Sequence, residues 1–337
     1  MYTHEGRVSF CVTPRHRFPV STVHSYQNKH DNSWQHEFID RMAQSGKWRL
    51  SRDGIWNPPR PCPYVNFPSA TTNPNANQVN RIELHSLLRY LGFWIAEGCI
   101  GKASKTHRAV HVDQNGRASV VAGFISSLGY RYNTYLSPTT GCTRWTIQSQ
   151  QLYEFIVRNF GPTPYSYTKY IPRWILNLPK DYLESLWEGL MFGDGTHQKG
   201  HQVYGTTSRQ LADDVQELIF KMGKRSTIRT YPIDSRLRKH PPRYNPYCYY
   251  RQQVFEVDTA WVRHDEIEQK AYSGIVYCVR VPNETIYLRR KGTTYWSSNC
   301  IDDTCQVFMH RQMRASSGHS VVSAGNSIEQ AFAKARH

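Results

Sequence analysis

Residues 186–195 read LWEGLMFGDG, an apolar run with helical spacing that ends on Asp194, held between Gly193 and Gly195. The backbone carbonyls at a helix C-terminus already carry partial negative charge, so a carboxylate there calls for a compensating cation. A second stretch, LGFWIAEGCI at 91–100, has the same layout: Gly92, Ala96, Glu97 and Gly98 stand where Gly189, Gly193, Asp194 and Gly195 stand. Upstream, Leu84, Leu87, Leu88, Leu91 and Ile95 keep helical spacing, as do Leu183, Leu186, Trp187, Leu190 and Met191. Downstream, VHVDQNGRASVVAGFISSLGYRYNTYL and VYGTTSRQLADDVQELIFKMGKRSTIRTY both read strand, helix, glycine (Gly129 and Gly223), strand. The chain therefore contains a two-fold internal repeat of about one hundred residues per copy.

Glycine inside a helix costs about 1 kcal/mol relative to alanine, so Gly92, Gly189 and Gly193 require a structural return. At four-residue spacing they form a smooth groove in which two helices can approach closely. If the repeats pack through these helices, Glu97 and Asp194 arrive side by side at one end. Two carboxylates and two helix C-termini then concentrate negative charge, and an oxygen-ligand site of this kind suits Mg²⁺.

The chain has 337 residues, which predicts about two domains. Lysine and arginine exceed aspartate and glutamate by 42 to 26, a net charge of +16, which points to a polyanionic partner. No run of eighteen apolar residues argues for a membrane span, and the first residues lack a signal-peptide core; a cytoplasmic protein is expected. The eight cysteines, at 11, 62, 99, 142, 248, 278, 300 and 305, form no C-x-x-C pair, so free thiols are expected rather than a zinc site.

LGFWIAEG and LWEGLMFGDG resemble the paired motifs of the LAGLIDADG (DOD-type) homing endonucleases, and YTKYIPRWI at 167–175 resembles that family's Lys-x-Ile-Pro segment. The resemblance implies that Glu97 and Asp194 bind two or more divalent ions, Mg²⁺ above all, and cut both strands of duplex DNA. It makes Lys169 a candidate to position or polarise the attacking water. KASKTHRAVHVDQ (102–114) and RYNPYCYYRQQVFEV (243–257) mix basic, polar and aromatic residues as a DNA-facing ribbon would. Lys105, Arg108, His111, Arg236, Arg238, Lys239, Arg243 and Arg251 are the candidate contacts to bases and phosphates.

The flanks resemble the splicing motifs of inteins, whose Hint fold is all-β. Thr13 and His16, in GRVSFCVTPRHRFPV, match the motif that helps activate the N-terminal splice junction. VYCVRVPNETIYLRR matches the motif before the C-terminal junction, with Cys278 at a position filled by aspartate or cysteine. By this resemblance Asn299 ends the intein and Cys300, a thiol nucleophile, begins the host segment. Ser298 and Glu284 stand where inteins usually carry histidines, which leaves assistance to asparagine cyclisation open. Met1 lies too close to His16 for the family's first strands and initiating nucleophile, so an N-terminally incomplete intein that does not splice by itself is expected.

The reading is thus an α+β chain: a pseudo-two-fold LAGLIDADG endonuclease of αββαββα repeats inserted in an all-β Hint-type domain. Residues 1–75 and 263–299 are expected to form the Hint parts and 76–262 the endonuclease, with repeats at about 80–165 and 166–262. Residues 300–337 would begin the host C-extein. Expected partners are double-stranded DNA, the covalently attached host protein and a separate N-terminal intein fragment, with no membrane, for a monomer in a microbial or phage-infected cell. The alternatives are a free-standing LAGLIDADG endonuclease or RNA maturase, and a DNA-binding remnant whose acids no longer hold metal.

Overall fold

A computed structural model describes residues 1–22, 34–51, 54–101, 108–162, 164–232, 248–255, 259–274 and 281–298. The chain divides into two compact units. The first comprises Met1–Gly54, Gly223–Ile228 and the described part of Phe255–Ser323; the second comprises Ile55–Met222 and the described part of Arg229–Val254.

The first unit opens with β1 (Tyr2–Glu5), β2 (Ser9–Val12), β3 (Arg17–Thr22), β4 (Gln35–Phe38), the short helix α1 (Ile39–Gln44) and β5 (Lys47–Ser51). In β5 the sequence KWRLS alternates, burying Trp48 and Leu50 and turning Lys47 outward, the period-two pattern of a half-buried strand.

The second unit then runs β6 (Tyr64–Asn66), β7 (Arg81–Glu83), α2 (Leu84–Glu97), β8 (Gly98–Ile100), β9 (Ala109–Gln114), α3 (Ala118–Ser126), β10 (Asn133–Leu136), β11 (Thr143–Gln148) and α4 (Gln150–Phe160). It continues with α5 (Arg173–Leu176), α6 (Lys180–Asp194), β12 (Gly195–Gln198), β13 (His201–Thr206), α7 (Arg209–Lys221), β14 (Arg225–Pro232), whose residues up to Ile228 belong to the first unit, and β15 (Cys248–Phe255). The repeat is visible in the sheets: one has the order β10-β11-β9-β8 and the other β14-β15-β13-β12. In each, the strand leaving the acid-bearing helix pairs antiparallel with the next, Gly98 opposite Val112 and Gly195 opposite Tyr204. Starts are capped as the sequence allows. Glu83 accepts from the amides of His85 and Ser86, Ser149 from Leu152, and Ser208 from Leu211, each satisfying amides that have no partner inside the helix. The core gathers the predicted apolar faces, including Leu84, Leu87, Leu88, Leu91 and Ile95 with Leu183, Leu186, Trp187 and Leu190.

The chain returns to the first unit with β16 (Thr259–Arg263), β17 (Glu268–Gln269), β18 (Thr285–Arg290) and β19 (Thr293–Ser298). The sheets there are β17-β1-β2 and β16-β5-β3-β4, with β18 and β19 as a hairpin. Arg290 pairs with Thr293, leaving Lys291 and Gly292 as a two-residue turn with φ of 48° and 75°. Positive φ at both positions is the turn whose twist matches a hairpin, and glycine takes the second without strain. Phe10, Phe18 and Tyr295 pack together in this unit's core, with ring centroids 4.9 Å apart for Phe10 and Phe18 and 6.0 Å for Phe18 and Tyr295. The stretch 6–20 forms two strands, β2 and β3, separated by the turn that holds Thr13 and His16, where the His16 amide donates to the Thr13 carbonyl at 3.1 Å.

Candidate active site

Glycine positions the helix pair. A Cβ built on Gly92 would lie 2.1 Å from the Leu186 carbonyl oxygen, and one on Gly189 2.1 Å from the Arg89 carbonyl oxygen. The two contacts are reciprocal: residue 92 seats on 186 and 190, residue 189 on 89 and 93. Only glycine permits backbone to meet backbone in this way. Beside that crossing the helices are joined by Arg89–Glu188 at 2.8 Å, and further along by His85, whose Nδ1 shares a hydrogen bond of 2.8 Å with Ser185 Oγ while its ring stacks on Tyr182 at 4.3 Å. At the other end a Cβ on Gly193 would lie 2.3 Å from Ala96 Cβ and 3.2 Å from Glu97 Cγ. The packing therefore delivers Glu97 and Asp194 to the same end of the pair.

Glu97 is half-buried, and its carboxyl is raised above the usual range, first by burial and then by the Asp194 charge. Asp194 is exposed to solvent, yet the protein packed around it raises its carboxyl too, against the opposing pull of Lys169. Lys169 is 4 % exposed. Its Nζ donates to the carbonyls of Gly98 at 2.8 Å, Trp94 at 3.2 Å and Ala96 at 3.4 Å. Burial lowers this ammonium to about 8, while Asp194, Cys99 and Glu97 pull the other way. The other helix end is served by a residue from the first repeat: Arg117 donates to the Phe192 carbonyl at 3.0 Å and lies over the Phe192 ring at 4.2 Å. The cations that the acid-bearing ends call for are thus Lys169 on α2 and Arg117 on α6, each supplied from outside the helix it caps. Arg117 escapes sequence reading because it follows Gly116 in a left-handed turn, φ 49°, with no motif around it.

Aligning the repeats through the strand register makes the two flanks of the acids comparable. Val112 and Tyr204 are equivalent, as are Asp113 and Gly205, and Arg144 and Arg251. Arg144 grips Asp113 with two bonds, 2.7 and 2.8 Å. In the second repeat Gly205 leaves room for the Tyr249 hydroxyl, which would lie 1.7 Å from a Cβ at that position. Tyr204 is completely buried, and its hydroxyl has no hydrogen-bond partner among the described residues. Of the candidate DNA contacts, Arg108 pairs with Glu154 at 2.8 Å, His111 bonds Thr146 Oγ1 at 2.9 Å, and Arg251 donates to Gln198. All three lie on or beside the two large sheets, whereas Lys105, Arg236, Arg238, Lys239 and Arg243 lie outside the described residues. Arg144 was the signal missed; it is found by placing the second repeat's Arg251 on the first.

In the β-rich unit His16 is buried and its Nε2 shares a 2.6 Å hydrogen bond with Ser297 Oγ. Beside it, Ser298 Oγ meets His36 Nδ1 at 3.1 Å, so a histidine from β4 reaches the residue that lacked one in sequence. Cys278, Asn299 and Cys300 lie outside the described residues. Burial, and secondarily Arg17, lowers His16 to about 4 from an ordinary 6.5. Between these values the unfolded chain binds the proton and the folded one does not, so stability falls as pH drops through 6.5 toward 4 and is unaffected above. The full span corresponds to about 3 kcal/mol. Urea denaturation at pH 7 and pH 5 should show the loss, and His16→Gln should flatten it; an equal slope in the variant would assign the effect to another group.

The donor set suits a hard divalent cation. Magnesium commonly takes one or two carboxylates and completes its shell with water and substrate phosphate, which two adjacent acids with a solvent-reachable edge allow. Glu97 and Asp194 would hold it; burial raises both carboxyls, and the Asp194 charge adds to the rise at Glu97.

Residues 181–259 match the family model of a LAGLIDADG-like domain. A curated relative, an ATP-dependent Clp protease proteolytic subunit of Chlamydomonas moewusii, is 24 % identical over 252 residues, covering 68 % of this chain and 23 % of that protein. Another, a DNA-directed RNA polymerase subunit beta C-terminal section of Stigeoclonium helveticum, is 21 % identical over 291 residues, covering 69 % and 26 %. The chain thus spans about a quarter of the length of these relatives. Among solved structures, I-DmoI in complex with DNA and Ca shares 15 % identity at a TM-score of 0.36, covering 51 % of this chain and 84 % of that one. The I-LtrWI LAGLIDADG homing endonuclease bound to target DNA shares 13 % at 0.29, covering 51 % and 79 %. Residues 181–259 thus form a LAGLIDADG-like domain, within a chain of mixed helices and strands.

Proposed function

We propose that the chain is a DOD-type homing endonuclease that makes metal-dependent double-strand breaks in DNA. The observation that carries this is the pair Glu97 and Asp194, brought to one end of two glycine-locked helices in a chain of net charge +16. A divalent ion held there supplies an activated water and neutralises charge on the leaving oxygen. Glu97 and Asp194 orient that ion, and Lys169 and Arg117 offset the two helix ends, so that the acids are held close without their charges pushing the ends apart. Arg144 and Arg251, on the matching strands β11 and β15, with His111 on β9 and Arg108 just before it, are the candidate DNA contacts, each now resting on a local partner that DNA phosphate can replace. Purified protein incubated with a library of duplex sequences should release captured ends at one preferred sequence with Mg²⁺ and none with EDTA. Random ends, or cutting that survives EDTA, would remove the paired acids from the reaction.

We further propose that this endonuclease travels inside an intein. In support, two relatives named for unrelated functions share with this chain a segment that makes up only a quarter of each, as an insert would. The β-rich unit also places His16 and His36 against Ser297 and Ser298, the two residues before Asn299. The Asn299 amide can attack its own carbonyl, closing a succinimide and freeing the Cys300 amine. Intact-mass spectrometry should then show slow loss of 300–337, abolished in Asn299→Ala; an equal fragment in that variant means ordinary proteolysis.

A further inference from the structure

The outward faces of the two large sheets differ at one matched pair of positions. In the first sheet Val110, Val112, Trp145 and Ile147 are buried in the core, so Asp113 and Arg144 lie on the opposite face. They are direct cross-strand partners, joined edge to edge: Arg144 Nε donates to Asp113 Oδ1 at 2.7 Å and Nη2 to Oδ2 at 2.8 Å. Tyr135, 63 % exposed, is the cross-strand partner of Arg144 on its other side. The carboxylate thus fixes the plane of the guanidinium. Its remaining edge, made of Nη1 and the second Nη2 hydrogen, has no partner among the described residues, and about half of the side chain reaches solvent. The second sheet has the same arginine without the carboxylate. Gly205 stands at the position of Asp113, where a side chain would collide with the Tyr249 hydroxyl, and Arg251 donates instead to the Gln198 carboxamide. A single carboxamide oxygen does not fix the plane of a guanidinium.

Resting on the duplex-DNA part of the endonuclease reading, we propose that Arg144 reads a guanine in the half-site bound by the first repeat, with Asp113 as the residue that positions it. The open edge of Arg144 carries paired N–H groups that match O6 and N7 of guanine, a pattern no other base presents in the major groove. Asp113 orients the side chain before DNA arrives, so little rotamer freedom is lost on binding. It also offsets the charge, so a phosphate gains less from Arg144 than from an arginine without a carboxylate partner. The register places the contact. Gly98, the residue after Glu97, is opposite Val112, so Asp113 lies one residue further along, level with Glu97. The guanine therefore falls at the edge of the half-site nearest the acids. Arg251 serves instead as a phosphate contact, so the target is asymmetric: guanine at this position on one side and no fixed base at its mirror.

Randomised duplexes, selected for binding without metal and sequenced, test this. Wild type should retain guanine at one position, favoured about 5- to 150-fold over any other base, the discrimination a bidentate contact supplies. Arg144→Ala should lose that preference and keep those at other positions. Asp113→Asn should weaken it while leaving guanine first. Arg251→Ala should weaken binding to all sequences alike and reduce its salt dependence. Should Arg144→Ala fold poorly, wild type offered 7-deazaguanine in place of that guanine gives the same reading: loss of N7 alone should remove most of the advantage. A preference unchanged in Arg144→Ala, uniform weakening across sequences in that variant, or equal binding of 7-deazaguanine would each overturn the assignment. Wild type that binds the selected sequence and never cuts it removes the endonuclease reading and leaves the guanine contact standing. Wild type that cuts, with no base preference that Arg144 controls, removes this inference alone.

Discussion

Gly92→Ala should destabilise the protein by about 3 kcal/mol or more, although alanine is the better helix former by about 1 kcal/mol. The new methyl would sit 2.1 Å from the Leu186 carbonyl oxygen and 2.9 Å from the Leu190 amide nitrogen. Those are backbone atoms of a neighbouring helix, so no side-chain rotation relieves the clash and the helices must move apart. Gly189→Ala should cost as much, because its methyl meets the Arg89 carbonyl oxygen at 2.1 Å. Gly123 provides the control. It lies in α3, is exposed, and a Cβ there meets nothing within 4 Å, so Gly123→Ala should stabilise by about 0.5–1 kcal/mol. Urea denaturation of the three variants separates propensity from packing. If Gly92→Ala were as stable as wild type, the helices would not meet through their backbones in solution, and the convergence of Glu97 and Asp194 would lose its cause.

This close approach was legible in the sequence because glycine inside a helix has a local cost of about 1 kcal/mol. A repeated cost at fixed spacing announces a tertiary return. The same reasoning located the acids. It did not locate the cations. Lys169 was recognised as a candidate to position water, but nothing local shows that it would be buried beneath the end of α2 with three carbonyls around its ammonium. Its partners lie more than seventy residues upstream. Arg117 has no periodicity or spacing to mark it, because its role comes from the α6 end it reaches. Arg144 is an intermediate case: its counterpart Arg251 was picked out by composition, and the repeat carries that choice across once the register is known. In the β-rich unit the same limit appears at Ser298. A search for histidine along the chain near Asn299 does not find His36, because β4 brings it from more than two hundred residues away.

The acids themselves give the second large effect, and it has opposite signs in two measurements. Glu97→Gln or Asp194→Asn should reduce cleavage at the selected site by at least about a thousandfold, since holding the ion contributes several kcal/mol of transition-state stabilisation. Either variant should nevertheless melt higher than wild type in EDTA. The sign follows from the raised carboxyls: each acid is harder to ionise in the folded protein than in the unfolded chain, so its charge opposes folding at neutral pH. A neutral amide of the same shape removes that opposition. Asp194→Asn also relieves Glu97, because the Asp194 charge is one of the causes that raise it. Mg²⁺ should then raise the melting temperature of wild type by binding the folded state and do little for the variants. DNA binding measured without metal should be retained, because the proposed phosphate contacts come from the sheets. Variants that cut normally would take Glu97 and Asp194 out of the mechanism. Variants that lost both cleavage and stability would instead identify the acids as structural caps, since only a site strained for its function gains stability when its charge is removed.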